Sequence, residues 1–213
     1  MPIELIIFDN DGVLVDSETI ANQILCDLLV ENGVDITYEE VLRVFKGNSL
    51  AHCVKIARDD YGVVNAERFV EIYHQRIKAA YHALKSINGA HTLLESLHMP
   101  YCVASNSGRS KLIHALHITG LLHFFEGRTF SAEDVRQGKP APDLFLYAAA
   151  QCHVLPASCL VIEDSPQGVM AAQAAGMLVI GYVPPGEPDK LSPFNIPIIE
   201  HLLDLLPMLS VQM

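Results

Sequence analysis

The sequence contains no tryptophan, no Cys-x-x-Cys pair and no run of basic residues. Lysine and arginine number 14 against 25 aspartates and glutamates, which gives a formal net charge of −11. Proteins that bind nucleic acids use lysine and arginine to neutralise phosphates, so this balance argues against a nucleic-acid partner. No apolar stretch reaches the roughly 20 residues of a membrane-spanning helix, and we therefore expect no membrane insertion.

The cysteines also argue against a disulfide-stabilised secreted protein. They are odd in number: Cys26, Cys53, Cys102, Cys152 and Cys159. Reduced thiols packed as small apolar side chains are the simplest interpretation. The first residues lack the basic leader, the longer apolar segment and the small-residue cleavage site of a signal peptide. The sequence therefore predicts a cytoplasmic protein, and a monomer is the default expectation.

Short apolar runs alternate with helical patterns through most of the 213 residues. The runs that predict buried strands are residues 3–8, 101–104, 128–130, 160–162 and 178–182. The helical patterns that follow them lie near residues 110–116, 142–150, 167–175 and 199–209. This alternation is typical of a parallel sheet with helices on both faces, and ligands bind beyond the carboxyl ends of its strands.

About 90 residues after the first strand show no strand pattern. Apolar residues recur at helical spacing from Ile20 onward, and Thr37 with Glu40 forms a capping-box pattern that begins a helix. Two more helical patterns cover residues 50–61 and 66–84. The expected domains are therefore a helical insert over residues 16–85 and an α/β domain over residues 1–15 and 86–213.

The first predicted strand ends in two closely spaced carboxylates. Asp9 follows the apolar run, and Asp11 reaches the same space as the chain turns through Gly12. Two such carboxylates repel each other, and a bound divalent cation would relieve the repulsion. Taken alone, the pair also fits a simple Asx turn at the end of a strand.

Three later segments bring more polar groups to the same edge of the predicted sheet. The residues are Ser105 and Asn106 after one strand, Lys139 before a helix, and Glu163 with Asp164 after another strand. Each segment alone also fits a helix cap, an exposed lysine or a turn. Together they supply carboxylates, a hydroxyl and a cation at one edge of one sheet, a set that chance rarely supplies.

The four segments, in this order, resemble the four motifs of the haloacid-dehalogenase-like hydrolase superfamily. The helical insert is similar to the cap of its β-phosphoglucomutase-like subgroup, as are Asp16-Ser17-Glu18 and Phe45-Lys46-Gly47. The resemblance implies an α/β fold, with a Rossmann-like parallel sheet and an inserted four-helix cap. It also implies a magnesium-dependent phosphatase that hydrolyses a small phosphorylated metabolite through an aspartyl-phosphate.

The resemblance further implies a role for each matching residue. Asp9 corresponds to the nucleophile, and Asp11 to the general acid that later acts as a base. Lys139 corresponds to a cation that offsets charge between nucleophile and phosphate. The implied Mg²⁺ ligands are Asp9, Asp11 through its backbone carbonyl, Glu163 and Asp164. The implied substrate contacts are Ser105, Asn106, Lys46 and Gly47.

Alternative activities remain open at this point. Asp11 argues against dehalogenation, because a halide leaves without a proton whereas an alkoxide needs an acid. A sugar phosphomutase is the main alternative, although ungapped counting places Ala21 and Leu50 where β-phosphoglucomutase has a histidine and an arginine. A non-catalytic phosphate-binding module is a third possibility, but it would have little need of the complete catalytic set.

The substrate is less well defined than the reaction. Subgroup resemblance favours a sugar phosphate or a sugar-acid phosphate, and nucleotide monophosphates stay possible. The Phe45-Lys46-Gly47 loop and Ser105-Asn106 resemble those of bacterial members that act on 6-phosphogluconate. Asn10 is polar where relatives often have an apolar or aromatic residue, and the sequence indicates no role for it.

Overall fold

A sheet of parallel strands is the centre of the fold. The structure is a computed structural model that describes residues 2–46, 48 and 50–210. Its strands are β1 (Leu5–Phe8), β2 (Val15–Asp16), β3 (Lys85–Ser86), β4 (Tyr101–Ser105), β5 (Thr129–Ser131), β6 (Cys159–Glu163), β7 (Leu178–Tyr182) and β8 (Ile198–Ile199). Six strands form the main sheet in the order β5-β4-β1-β6-β7-β8, and every pair is parallel. The predicted α/β fold is confirmed.

Strand β1 lies between β4 and β6 in the sheet, and its residues are buried on both faces. Leu5, Ile6, Ile7 and Phe8 are completely buried. A strand between two neighbours in a parallel sheet needs such a continuous apolar run, since helices cover both faces. The register pairs Phe8 with Val103 of β4 and with Ile162 of β6, so the three strands end at the same edge.

Helices surround the sheet and make up the inserted segment. They are α1 (Glu18–Glu31), α2 (Tyr38–Val44), α3 (Leu50–Asp59), α4 (Ala66–Ala80), α5 (Ala90–Ser96), α6 (Arg109–Ile118), α7 (Asp143–Gln151), α8 (Pro166–Ala174) and α9 (Leu205–Ser210). The capping box is present as predicted, with Thr37 and Glu40 bonding each other's backbone amides at the start of α2. Among the described residues, no helix combines the length and the apolar character that a membrane span needs.

Two predictions of secondary structure were wrong. The helix expected from Ile199 begins only at Leu205, because Ile198–Ile199 pairs with β7 as strand β8 and a 3₁₀ turn follows. Strands β2 and β3 were not predicted, since a two-residue strand shows no alternation of apolar and polar positions. Short elements of this kind depend on their pairing partner rather than on local sequence.

The described residues divide into two compact units at Val15 and at Leu84. The first unit combines the residues up to Val15 with those from Lys85 onward and contains the six-stranded sheet. The second unit, Asp16–Leu84, contains α1 to α4 and has its own apolar core, which includes Leu28, Leu29, Val41, Phe45 and Phe69. That the first unit is a hydrolase domain and the second its cap stays a prediction.

The buried sheet should dominate the stability of the first unit. Replacing Leu5, which is completely buried in β1, with alanine should lower the free energy of unfolding by about 2–5 kcal/mol, because the cavity it leaves cannot close fully. Leu155→Ala is the matched control, since this leucine is 71% exposed and its loss should cost less than about 0.5 kcal/mol. Urea unfolding followed by circular dichroism measures both, and equal losses would contradict this account.

Candidate active site

The carboxyl ends of three adjacent strands bring the sequence-predicted polar residues of the first unit together. Asp9 directly follows β1, Ser105 is the last residue of β4, and Glu163 is the last residue of β6. The Asp9 backbone amide donates a hydrogen bond of 3.0 Å to the Ile162 carbonyl, which fixes the turn out of β1 against β6. The sheet register therefore determines which side chains meet.

Lys139 is the buried cation of the site. Its ammonium group contacts a carboxylate oxygen of Asp9 and lies 2.7 Å from Oε1 of Glu163. The Lys139 side chain is only 3% exposed. Burial alone would lower the pKa of this lysine, but the carboxylates of Asp9 and Glu163 outweigh burial and raise the pKa of Lys139 above its usual value. Lys139 is therefore charged throughout the physiological pH range.

The surroundings of Asp9 favour its neutral form, whereas those of Lys139 favour its charged form. Burial, followed by repulsion from Glu163 and Asp11, raises the pKa of Asp9 to about 7, although Lys139 counteracts the shift. The Asp9 and Glu163 carboxylates share the ammonium group of Lys139, and carboxylate oxygens of Asp9, Glu163 and Asp164 lie within 4.8 Å of one another. Additional positive charge at this cluster would stabilise the ionised form of Asp9.

Two side chains hold Lys139 and Glu163 in place. The Asn106 amide accepts from the Lys139 backbone N–H at 2.8 Å and donates to the Lys139 carbonyl at 2.9 Å. Ser165 donates to Oε2 of Glu163 from its backbone N–H at 2.9 Å and from its hydroxyl at 2.8 Å. Asn106 was predicted only as a substrate contact, and Ser165 was missed, although it stands beside an acidic pair at the end of a strand.

Asp11 is held by two hydroxyl groups. Its Oδ2 accepts a hydrogen bond from Ser107 at 2.9 Å and a longer one from Ser105 at 3.3 Å. Lys111 lies 4.0 Å from Oδ1. Ser107 and Lys111 were missed by sequence reasoning, because a serine and a lysine after a strand look like ordinary residues at the start of a helix. These contacts fix the orientation of the Asp11 carboxylate.

The acidic residues can hold a divalent cation. Asp9, Glu163 and Asp164 each have a carboxylate oxygen within 4.8 Å of the others. An all-oxygen set suits a hard cation such as Mg²⁺ or Ca²⁺. Gly12 has φ +90°, and a Cβ atom there would lie 2.1 Å from Oδ2 of Asp164. The backbone at Gly12 therefore approaches this carboxylate as closely as only glycine allows, and the residues fit a metal.

Two predicted substrate contacts, Lys46 and Gly47, do not belong to the described residues of the first unit, and Asn10 has no predicted role. Lys46 belongs to the helical unit, where its ammonium group lies 3.3 Å from Oε2 of Glu18. Gly47 lies outside the described residues. Asn10 is completely buried, and among the described residues neither polar atom of its side chain has a hydrogen-bond partner. The structure indicates no role for Asn10.

Comparison with known proteins decides the family. The family described as haloacid dehalogenase-like hydrolase matches residues 6–182, which is most of the chain. The protein belongs to this family. The resemblance of the four motifs is thereby confirmed, and a divalent metal is what phosphatases of this family generally use.

Similar haloacid dehalogenase-like proteins include enzymes that act on phosphate esters. The 6-phosphogluconate phosphatase of Escherichia coli K12 is 33% identical over 92% of this chain and 87% of its own. A hydrolase of the family from Deinococcus radiodurans R1, solved with bound phosphate and sodium, is 31% identical with a TM-score of 0.90, over 99% of this chain and 96% of its own. The predicted class of enzyme, a phosphoric monoester hydrolase, is confirmed.

The structural similarity includes the β-phosphoglucomutase-like subgroup that the sequence resembles. A β-phosphoglucomutase-like protein from Thermotoga maritima is 25% identical, with a TM-score of 0.78 over 97% of this chain and 99% of its own. The roles of individual residues in this haloacid dehalogenase-like chain stay predictions.

Gly12 offers a test of the metal site that separates backbone strain from crowding. Gly12→Ala should weaken Mg²⁺ binding strongly, because its methyl group would displace the Asp164 carboxylate. Gly33→Ala is the matched control, since Gly33 also has a positive φ of +83° but has no atom within 4 Å of the added methyl. Isothermal titration measures both, and equal Mg²⁺ affinities in the two variants would be evidence against a metal at Asp164.

The raised pKa of Asp9 predicts how metal binding depends on pH. Between about pH 4 and pH 7 the folded protein keeps a proton on Asp9 that the unfolded chain has lost, so stability from this group falls as pH rises through that interval. A metal must displace the same proton. The increase in Tm caused by Mg²⁺ should therefore be larger at about pH 8 than at about pH 5.5.

Asp9→Asn provides the control for this pH dependence, because its amide does not titrate. Any remaining metal-induced increase in Tm should depend much less on pH in this variant. Thermal unfolding with Mg²⁺ and with a chelator at both pH values measures the effect. A Tm increase that is independent of pH in the unmodified protein would show that Asp9 does not bind the metal.

Proposed function

We propose that this chain is a magnesium-dependent phosphatase that hydrolyses small phosphorylated metabolites, either sugar phosphates or sugar-acid phosphates, through a phosphorylated Asp9. The observation that carries the proposal is the position of Asp9, which is buried beside Lys139 and within reach of two further carboxylates. The relatives support the reaction class, and the contacts of each residue support its role.

Charge compensation is the first requirement of the reaction. Asp9, Glu163, Asp164 and the backbone carbonyl of Asp11 would hold Mg²⁺. When bound, Mg²⁺ supplies positive charge that lets an anionic phosphate approach the anionic Asp9 carboxylate. Lys139 supplies a second, permanent positive charge in contact with Asp9, and its contact with Glu163 helps to hold it there.

Phosphoryl transfer then proceeds in two steps. A carboxylate oxygen of Asp9 bonds to phosphorus while the ester oxygen leaves and takes a proton from Asp11. Asp11 next removes a proton from water, whose oxygen attacks phosphorus and releases inorganic phosphate and free Asp9. The Ser107 hydroxyl holds the Asp11 carboxylate in one orientation for both transfers. Ser105, at the end of β4, makes only a longer bond of 3.3 Å to Asp11, and its single hydroxyl proton turns to a phosphoryl oxygen when the substrate binds.

A sugar phosphomutase is the second candidate, because the fold extends to a β-phosphoglucomutase-like protein. A mutase must bind a sugar that carries two phosphates during its cycle, which requires cations in addition to Lys139. Ala21 and Leu50 occupy the positions where the sequence comparison expects the histidine and arginine of a mutase, and neither has charge. Hydrolysis is therefore the better supported outcome. Cytoplasmic location and a monomeric state stay predictions.

Substitution of the two aspartates distinguishes their roles. Asp9→Asn should abolish Mg²⁺-dependent phosphate release from every ester, because the nucleophile is lost. In the first turnover, Asp11→Asn should slow the departure of the alcohol from alkyl phosphates by about 10²–10⁴-fold but the departure of acetate from acetyl phosphate far less, since acetate leaves without an acid. Later turnovers should slow for both, because attack by water needs Asp11 as the base. Asp35→Asn, at an exposed position of the helical unit, is the control and should retain activity.

Phosphate release is measured for the three variants with Mg²⁺ and with a chelator. Full activity in Asp9→Asn would rule out the proposed nucleophile. Rapid quenching measures the leaving group released in the first turnover, and equal slowing of alcohol and acetate departure by Asp11→Asn would rule out its role as the acid. Conversion of one sugar phosphate isomer into another, without phosphate release, would favour the mutase.

A further inference from the structure

Strand β5 ends beside β4 at the same edge of the sheet as the candidate active site. The register pairs Ser131, the last residue of β5, with Ser105, the last residue of β4. Ser131 is completely buried, although serine is more often an exposed residue. No step of the proposed reaction involves the end of β5, so a buried hydroxyl at this position needs its own explanation.

The Ser131 hydroxyl makes two hydrogen bonds. It donates to the backbone carbonyl of Ser107 at 2.9 Å and accepts from the backbone N–H of Glu133 at 3.2 Å. A hydroxyl has a single proton, so Ser107 receives the bond that this side chain can donate. The backbone N–H of Ser131 in turn donates to Oδ2 of Asp134 at 2.8 Å. The turn after β5 therefore sets where the Ser131 hydroxyl lies.

Ser107 is held on both sides of its side chain. Its backbone N–H donates to Oγ of Ser105 at 3.0 Å, and its carbonyl accepts from Ser131. Between these two bonds, the Ser107 hydroxyl donates to Oδ2 of Asp11 at 2.9 Å. Because a side chain follows its backbone, fixing the amide and the carbonyl restricts where this hydroxyl can reach. Asp11 is thus connected to the end of β5 through Ser107.

The same turn also holds the beginning of α6, which follows Ser107. Oε2 of Glu133 accepts from the backbone N–H of Arg109 at 3.2 Å, and Asp134 contacts the Arg109 guanidinium group. A Cβ atom at Gly108 would lie 2.6 Å from Oε1 of Glu133, so the chain passes directly against this carboxylate. Several contacts along this short segment therefore come from one turn, and they restrict its movement.

We infer that Ser131 is a positioning residue for Asp11. Its hydroxyl places Ser107, and Ser107 keeps the Asp11 carboxylate directed at the oxygen that leaves phosphorus. The inference rests on the proposed function and extends it to a residue that acts through another. A misplaced acid matters where the leaving oxygen must be protonated, so the loss of Ser131 should affect substrates according to their leaving group.

Ser131→Ala tests the inference with two substrates. Rapid quenching with Mg²⁺ present measures the leaving group released in the first turnover from an alkyl phosphate and from acetyl phosphate. The departure of the alcohol should slow about three- to tenfold, which is the effect of losing one hydrogen bond that supports the transition state. The departure of acetate should slow by less than about twofold, because acetate leaves without an acid.

Ser158→Ala is the matched control for the loss of a buried hydroxyl. Ser158 is also buried, but it directly precedes β6 and therefore lies at the opposite end of the sheet from the candidate active site. Its replacement should slow the departure of neither leaving group.

A double-mutant cycle shows whether Ser131 acts through Ser107. Ser107→Ala removes the hydroxyl that reaches Asp11 and should slow the departure of the alcohol by itself. Adding Ser131→Ala to this variant should slow it by less than about twofold more, because the side chain that Ser131 positions is then absent. A residue that only stabilises the fold would have the same effect in both backgrounds.

The outcomes separate this inference from the proposed function. Equal slowing of alcohol and acetate departure by Ser131→Ala would overturn the inference, and so would an effect that is undiminished in the Ser107→Ala background. Alcohol departure as fast as in the unmodified protein would also overturn it. In these cases Mg²⁺-dependent phosphate release by the unmodified protein would leave the proposed function standing. No such release from any ester would overturn the proposed function and the inference with it.

Discussion

The contact of Lys139 with Asp9 and Glu163 is the interaction on which the rest of the site depends. Burying a cation and carboxylates together is expensive, and an apolar cluster would stabilise a fold as well or better. The parallel sheet nevertheless places Asp9 directly after its central strand β1 and ends the neighbouring strand β6 in Glu163. Asn106 holds the backbone of Lys139, which positions the lysine side chain beside the two carboxylates. The arrangement makes sense where an anionic substrate must meet an anionic nucleophile.

The sheet and the acidic cluster could be predicted because their signals are local. Four apolar residues in a row define β1, and Asp9 follows them directly. Ser107 and Ser165 could not be predicted in the same way, because their importance lies in contacts with Asp11 and Glu163 that only the folded chain creates. Strands β2, β3 and β8 were missed because each has only two residues, which is too few to show an alternation of apolar and polar positions.

The two units differ in how their side chains are used. In the first unit, charged groups are buried together, and each has a defined partner or fits a metal. In the helical unit, the charged side chains of Glu18 and Lys46 form an ion pair at 3.3 Å, and the buried core is otherwise mostly apolar. Strong electrostatics suit a reaction that is the same for every phosphate ester.

The central claim is that phosphate passes through a covalent bond to Asp9. The most direct test is rapid acid quenching of the enzyme during turnover with Mg²⁺ and acetyl phosphate, using Asp11→Asn so that attack by water is slowed. Mass spectrometry of the peptides then locates any bound phosphoryl group. The account predicts a phosphoryl group on Asp9 that disappears in the double variant with Asp9→Asn. Turnover without a phosphorylated protein, or with phosphate on another residue, would contradict it.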